Sequence, residues 1–358
     1  MRQVRWAVPI VMLALAVAGA SPTVGAASNR VRVVAAEDFW GSIARQLGGE
    51  HAEVTSLIAD PNTDPHAYEA KPSDGAAVAR AQVTIANGIG YDGWMGKLVA
   101  ANPSSSRKVV TVGDVVGVRE GGNPHQWYSP RSVNSVIDAI TTALKQVDPA
   151  DAGYFDAQQQ AYRAGGLKRY DDLRARIKAQ FSGVAVGASE SIVAPLAEDL
   201  GLKLLTPESF LDAVSEGNDP TARDKAAVDS QITSRQIKVF VYNSQNSTPD
   251  VDALVAKAKK AGMPVTTVTE TLVPAGAAFQ DWQADQLQKL ADALGQATGQ
   301  PPAPMSTAQP GAASAPKVDG HPSSRWPVLL AGAVLAVGGL GVAGATARRR
   351  NRAPFLSA

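Results

Sequence analysis

The chain has 358 residues, of which 45% are hydrophobic, enough for about two packed domains. Its 34 Lys and Arg residues nearly balance its 33 Asp and Glu residues, so nothing in the charge favours nucleic acid as a partner. The sequence contains no cysteine, which excludes disulfides, thiolate metal sites and a lipid-modified N-terminal cysteine.

Residues 1–27 have the pattern of a signal peptide. Arg2 and Arg5 precede an apolar run over residues 6–17, and small residues at 18–20 and 25–27 offer two cleavage sites, of which we prefer the second. An uncleaved signal anchor is the alternative. Both interpretations place the following residues outside the cytoplasm.

Residues 28–147 alternate β-branched runs with helical patterns, which predicts a first α/β lobe with a mainly parallel sheet. Strands are predicted at 31–36, 53–58, 83–87 and 109–112, and helices at 40–47 and 74–81. Ser129 followed by Pro130 is typical of a helix start, and this helix is predicted to run to about residue 146.

Residues 148–182 carry apolar and aromatic side chains at intervals of three and four, which predicts one long linking helix. Gly165 and Gly166 could break or bend it. A second α/β lobe follows over residues 183–299, with strands at 184–187, 203–205, 238–242 and 264–269 and helices at 250–261 and 279–294. The predicted fold class is therefore α/β, with two lobes joined by one long rigid helix.

The C-terminal part is predicted to tether this body. Residues 300–325 are rich in Pro, Ala and Ser and indicate an extended stalk, in which His321 is expected to be solvated. Residues 326–347 are apolar and long enough to cross a hydrocarbon core of ~30 Å. Residues 348–358 carry four arginines, which predicts a single-pass protein of the cell membrane with its body outside and this basic tail in the cytoplasm.

Two histidines follow prolines in loops of the first lobe. His66 lies in residues 61–69 (Pro-Asn-Thr-Asp-Pro-His-Ala-Tyr-Glu), directly after a predicted strand, and His125 lies in residues 123–130 (Asn-Pro-His-Gln-Trp-Tyr-Ser-Pro). Loops at the carboxyl ends of strands bind ligands in open α/β sheets, and imidazole is a common ligand of transition metals. We predict that both histidines bind a metal, whereas His51 is interpreted as an exposed turn residue.

The order of these motifs resembles a known family. The two Pro-His motifs, with residues 87–94 (Asn-Gly-Ile-Gly-Tyr-Asp-Gly-Trp) between them, are similar to those of cluster A-I solute-binding proteins, the manganese and zinc receptors of ABC importers. The resemblance covers nearly all of the body between the two ends. It implies one metal ion in a cleft between two lobes.

The resemblance also implies the remaining ligands. The family's third ligand, a His or Glu after the first strand of the second lobe, falls on Glu190. Its fourth, usually an Asp after the last strand, falls on Glu270, which is one methylene longer. Another departure is Ser129, where the family commonly has Asp. Residues 216–220 and 243–246 also resemble the family and are interpreted as turns at the cleft edge.

The predicted function is capture of one divalent transition metal, Mn or Zn ahead of Fe, and its delivery to an ABC permease and its ATPase subunit by a monomeric, non-enzymatic receptor. The short segment 115–122 without histidine, together with Glu190, favours manganese. One alternative is a metal-dependent hydrolase with the same four residues, although no HExxH helix is present. The other is a surface adhesin that uses the metal for stability.

Overall fold

The computed structural model describes residues 30–63, 65 and 68–304. His66, the signal peptide, most of the stalk and residues 326–358 lie outside the described residues.

The first lobe contains a four-stranded parallel sheet in the order β2-β1-β3-β4. Its strands are β1 (Val31–Glu37), β2 (Ala52–Ile58), β3 (Val83–Ala86) and β4 (Lys108–Thr111). Its helices are α1 (Asp38–Gly48), α2 (Pro72–Arg80), α3 (Gly93–Ala101), α4 (Val112–Val116) and α5 (Pro130–Val147). The central strand β3 is buried at all four positions, because helices cover both faces of a parallel sheet.

The segment that links the lobes is helical from Pro149 to Phe181, with one irregular turn. After a 3-10 turn at Pro149–Asp151 come α6 (Ala152–Ala161), a π-helical turn at Tyr162–Gly166 and α7 (Lys168–Phe181). The ring of Tyr162 lies where a β-carbon on Gly166 would meet it at 2.6 Å, so this turn requires glycine there. The two glycines thus coincide with a π turn, and the helix continues beyond them.

The second lobe repeats the topology of the first, with a parallel sheet in the order β6-β5-β7-β8. Its strands are β5 (Ala185–Ala188), β6 (Lys203–Leu204), β7 (Val239–Asn243) and β8 (Val265–Val268). Its helices are α8 (Ala194–Leu200), α9 (Glu208–Ser215), α10 (Ala222–Thr233), α11 (Pro249–Lys260) and α12 (Phe279–Thr298). The α/β fold with two parallel-sheet lobes is as the sequence predicts.

Aromatic side chains fill the core beside the junction of the lobes. Phe39 and Trp127 are fully buried and stack with their ring centroids 4.1 Å apart. Trp282 donates its indole N–H to Thr269 Oγ1 at 2.8 Å. These contacts fix the loops that follow β4 and β8, which carry two of the predicted metal ligands.

The predicted membrane span requires correction. Among the residues that the structure describes, no helix is long and apolar enough to cross a bilayer. Residues 326–347, on which the prediction rested, lie outside those residues. The physical weakness of the prediction is that the apolar length of a segment permits a span without establishing one.

Candidate metal centre

The carboxyl ends of both sheets supply the side chains of the candidate centre. Glu190 follows β5, Glu270 follows β8, and His125 lies in the loop between α4 and α5. In each lobe the chain order reverses beside the first strand, and such switch points form crevices at the strand ends. The fold therefore brings together groups that are far apart in sequence.

His125 is almost completely buried, and its ring is oriented by Asn123. Asn123 Oδ1 accepts the backbone N–H of His125 at 2.9 Å and lies 2.9 Å from His125 Nδ1. Since an amide oxygen only accepts, Nδ1 carries a proton, so that in the neutral imidazole the lone pair is on Nε2. This tautomer is the one in which Nε2 can bind a metal, with Asn123 as its outer support.

Glu190 and Glu270 are both buried and both held by amide groups. Asn243 Nδ2 donates to Glu190 Oε1 at 2.6 Å and to Glu270 Oε1 at 2.8 Å. Asn246 Nδ2 donates to the other oxygen of Glu190 at 2.6 Å. Bonds from N–H groups favour the charged form of a carboxylate, which is the form that binds a cation.

Several hydrogen bonds cross from one lobe to the other around these groups. The hydroxyl of Tyr91 donates to Glu270 Oε2 at 2.9 Å, and Asn123 Nδ2 donates to the carbonyl of Ser191 at 2.8 Å. Gln245 Nε2 donates to the carbonyl of Pro61 at 2.7 Å. The two lobes are thus in direct contact at the site.

A further cross-lobe contact involves Tyr128, which is completely buried. Its hydroxyl oxygen lies 2.8 Å from the carbonyl oxygen of Thr269 and 2.8 Å from Gln286 Oε1. Burial raises the pKa of Tyr128 far above its usual value, so the hydroxyl keeps its proton and can donate it to an acceptor of the second lobe.

A tight loop after β3 supports the first-lobe side of the centre. Gly88, Ile89 and Gly90 all have positive φ angles, between 60° and 80°. Asp92 closes the loop, since its carboxylate accepts the backbone N–H groups of Asn87 and Gly88, each at 2.7 Å. The loop places Tyr91 against Glu270.

The amide of Asn87 connects the same loop to the histidine loop. Its Oδ1 accepts the indole N–H of Trp40 at 3.0 Å, which leaves Nδ2 to donate to the carbonyl of Pro124 at 2.9 Å. Asn87 therefore fixes the backbone directly before His125.

The structure brings together three of the four side chains predicted to bind metal. One ligand atom from each of His125, Glu190 and Glu270 lies within 4.8 Å of the other two, and all three residues are buried. His66 lies outside the described residues. One nitrogen and two oxygen donors without sulfur form a set suited to Mn, Fe or Zn.

A cavity of about 330 Å³ leads from the surface to Glu270. One wall is formed by Pro61, Asn62 and Thr63 of the first lobe, and the other by Glu216 and Asn246 of the second. Residues 216–220 and 243–246, interpreted from the sequence as cleft-edge turns, thus include the lining of this entrance.

Among the residues of the centre that were not predicted as functional are Tyr91, Asn243 and Gln245. From the sequence, Tyr91 was noted only as part of the motif after β3, and Asn243 and Gln245 only as part of a predicted turn. Their partners lie 179, 53 and 184 residues away in sequence, so no local pattern indicates the contacts.

Comparisons with known proteins agree with this architecture. A family model described as zinc-uptake complex component A, periplasmic, matches residues 33–293. The manganese-binding lipoprotein MntA of Halalkalibacterium halodurans is 28% identical over 170 residues, which are 45% of this chain and 56% of that protein. The iron-binding protein YfeA of Yersinia pestis is 30% identical over 186 residues, 49% of this chain and 58% of that protein.

The chain therefore spans somewhat more than half the length of these two relatives. Among solved structures, the Mn-bound periplasmic metal binding protein of Candidatus Liberibacter asiaticus superimposes with a TM-score of 0.61 at 23% identity. That match covers 74% of this chain and all of the other, and it shows a shared fold.

The comparisons also bear on location. The relative from H. halodurans is named a lipoprotein, a different class of membrane association from the predicted one. Together with the finding on membrane-spanning helices above, this makes the predicted single-pass location with a cytoplasmic tail wrong.

Proposed function

Because the chain belongs to the family of periplasmic zinc-uptake component A proteins, we propose that it captures one divalent transition-metal ion outside the cytoplasm and delivers it to an ABC importer. The observation that carries this proposal is the buried cluster of His125, Glu190 and Glu270, with ligand atoms from both lobes within 4.8 Å of one another. Three convergent donors in a crevice with an open entrance suit reversible capture of a small cation.

The proposed ligands are His66, His125, Glu190 and Glu270. His125 is supported by its tautomer, and the two glutamates by the amide and hydroxyl donors that orient them. The proposal for His66 rests on its Pro-His motif. The loop that contains this motif begins at Pro61, whose carbonyl accepts a hydrogen bond from Gln245 of the other lobe.

The proposed cargo is Mn²⁺, with Zn²⁺ as its main competitor. Carboxylate oxygens suit manganese, whereas each added imidazole would shift the preference toward zinc. One relative is named manganese-binding and another iron-binding, so the family accommodates more than one ion. The intrinsic order of affinities favours zinc over manganese, and selection must therefore come from the geometry and number of the ligands.

We also propose how the protein is exported, which partner receives the ion, and where the lobes begin and end. Residues 1–27 would direct export, a permease with its ATPase subunit would receive the ion, and the receptor would act as a monomer. The proposed lobes are residues 28–147 and 183–299, with residues 148–182 between them. A hydrolase with the same residues has no supporting observation in the described part of the chain, and the relatives above are named as binding proteins.

Calorimetric titration of the full chain with Mn²⁺ and Zn²⁺ tests the proposal. We expect saturation at one ion per chain, and a loss of at least about 10-fold in affinity for His125→Ala and for Glu190→Gln, since each removes a direct ligand. His51→Ala, which changes a histidine away from the cluster, should bind like the wild type. Absence of binding of both ions by the wild type would refute the proposed function.

A further inference from the structure

Asn243 of the second lobe contacts both of the proposed acidic ligands. It ends β7, beside β5 at the switch point of the sheet, and its side chain is fully buried. Its amide nitrogen donates to one carboxylate oxygen of Glu190 at 2.6 Å and to one of Glu270 at 2.8 Å. A single NH₂ group thus joins the two proposed acidic ligands, which come from different strand ends.

The orientation of this amide follows from its other contacts. Asn243 Oδ1 accepts the backbone N–H of Gln245 at 2.9 Å, and the backbone N–H of Asn243 donates to Ser189 Oγ at 3.0 Å. If the amide were flipped, an oxygen would face two carboxylates and an NH₂ group would face an N–H donor. The hydrogen-bond network therefore assigns both amide hydrogens to the carboxylates.

Two buried carboxylates this close repel each other strongly in a medium of low dielectric constant. Here each of their four oxygens accepts a hydrogen bond: two come from Asn243, one from Asn246 and one from Tyr91. Among these four hydrogen bonds of the described residues, the two from Asn243 originate from one atom, and they therefore fix the position of one carboxylate relative to the other.

We propose that Asn243 is a positioning residue that holds Glu190 and Glu270 as a preformed pair for a divalent cation. This inference rests on the proposed function. Residues that orient metal ligands through hydrogen bonds contribute to affinity and to coordination geometry without touching the ion. The first lobe has a counterpart, since Asn87 directly follows the central strand β3 and holds the loop of His125 through Pro124.

Substitutions in the full chain separate positioning from a purely structural role. Asn243→Leu keeps the approximate size of the side chain and removes both donors, and Asn243→Ser supplies one hydroxyl that cannot reach both carboxylates. The control is Asn102→Leu at the end of α3, since the Asn102 amide donates to a helix carbonyl, that of Leu98. Each variant is titrated with Mn²⁺ and with Co²⁺, and the visible absorption of bound Co²⁺ reports its coordination geometry.

We expect the Leu variant to bind Mn²⁺ about 10- to 100-fold more weakly than the wild type, and both Asn243 variants to show an altered Co²⁺ spectrum at saturation. Asn102→Leu should keep the wild-type affinity and spectrum. If a thermal melt shows that Asn243→Leu is unfolded, the Co²⁺ spectrum of Asn243→Ser tests the inference instead. Wild-type affinity and spectrum in a folded Asn243 variant would overturn the inference, whereas a wild type that binds neither ion would overturn the proposed function instead.

Discussion

At the scale of single residues, Glu37 is an unusual member of the core. It is the last residue of β1 and is fully buried, and the carboxyl group of Asp92 lies beside it. Burial, together with the nearby charge of Asp92, raises the pKa of Glu37 well above its usual value. The side chain is therefore neutral under conditions in which an exposed glutamate is charged.

Glu37→Gln should make the free energy of unfolding less dependent on pH. Unfolded Glu37 loses its proton near pH 4.5, whereas the folded protein keeps it, so wild-type stability falls as pH rises above that value toward the folded pKa. Gln removes this penalty, so we expect the variant to gain stability relative to the wild type as pH increases. Urea unfolding at several pH values between 4 and 8 measures the difference. The control is Glu53→Gln, at an exposed position on β2, for which we expect the free energy of unfolding to depend on pH as it does in the wild type. The same pH dependence in Glu37→Gln as in the wild type would contradict the prediction.

At the scale of secondary structure, the start of α5 is coupled to the histidine loop. His125 is followed by a 3-10 turn at Gln126–Tyr128 and then by Ser129, whose hydroxyl accepts the backbone N–H of Ser132 at 3.3 Å. Thr221 caps α10 in the same way, accepting the N–H of Asp224 at 3.2 Å, but no proposed ligand adjoins that helix.

Ser129→Ala and Thr221→Ala should each lower the free energy of unfolding by about 0.5–2 kcal/mol, because each removes a helix cap. Only Ser129→Ala should also weaken metal binding, since its cap fixes the chain close to His125. Denaturant unfolding and metal titration of both variants measure the two effects. Equal metal affinities in the two variants would show that the cap does not position the loop.

At the scale of the whole molecule, the lobes meet through polar contacts at the centre. The hydrogen bond from Tyr91 to Glu270 joins the loop after β3 to the loop after β8. Asp38, the first residue of α1, makes another polar link to the second lobe: its carboxylate accepts the N–H of Leu272 at 3.2 Å. Burial raises the pKa of Asp38 to about 6, so this link involves a carboxylate that is fully charged only above that pH.

Tyr91→Phe should destabilise the metal-free protein by about 1.5–3 kcal/mol, the usual contribution of a hydrogen bond to a charged group. Tyr154→Phe is the matched control: its hydroxyl accepts a neutral backbone N–H, that of Glu50, at 3.1 Å, and it should cost about 1 kcal/mol or less. Urea unfolding in the presence of a chelator measures both. A loss for Tyr91→Phe no larger than that of the control would indicate that the cross-lobe bond contributes little.

Much of this architecture could be predicted from the sequence, because buried strands and long helices leave local patterns. The strand at 31–36 and the long helix near 149–181 are examples. Helices α8, α9 and α10 were not predicted, since each has only three buried positions. His51 was interpreted as an exposed turn residue, but it stacks on Tyr154 and contacts Asp151, a partner 100 residues away. Contacts over such separations depend on the fold as a whole, as those of Asn243 do.

The π turn in the linking helix has a consequence for how the lobes face each other. An α-helix advances by about 100° per residue, and a π turn accommodates one residue more than an α turn. Before this turn α6 packs on α1 and α5 of the first lobe, and after it α7 packs on α8 and α12 of the second. One residue more or one fewer in this turn would rotate one lobe relative to the other by about 100°. The candidate metal centre therefore depends on the residue count of this turn, since Glu190 and Glu270 come from one lobe and His125 from the other.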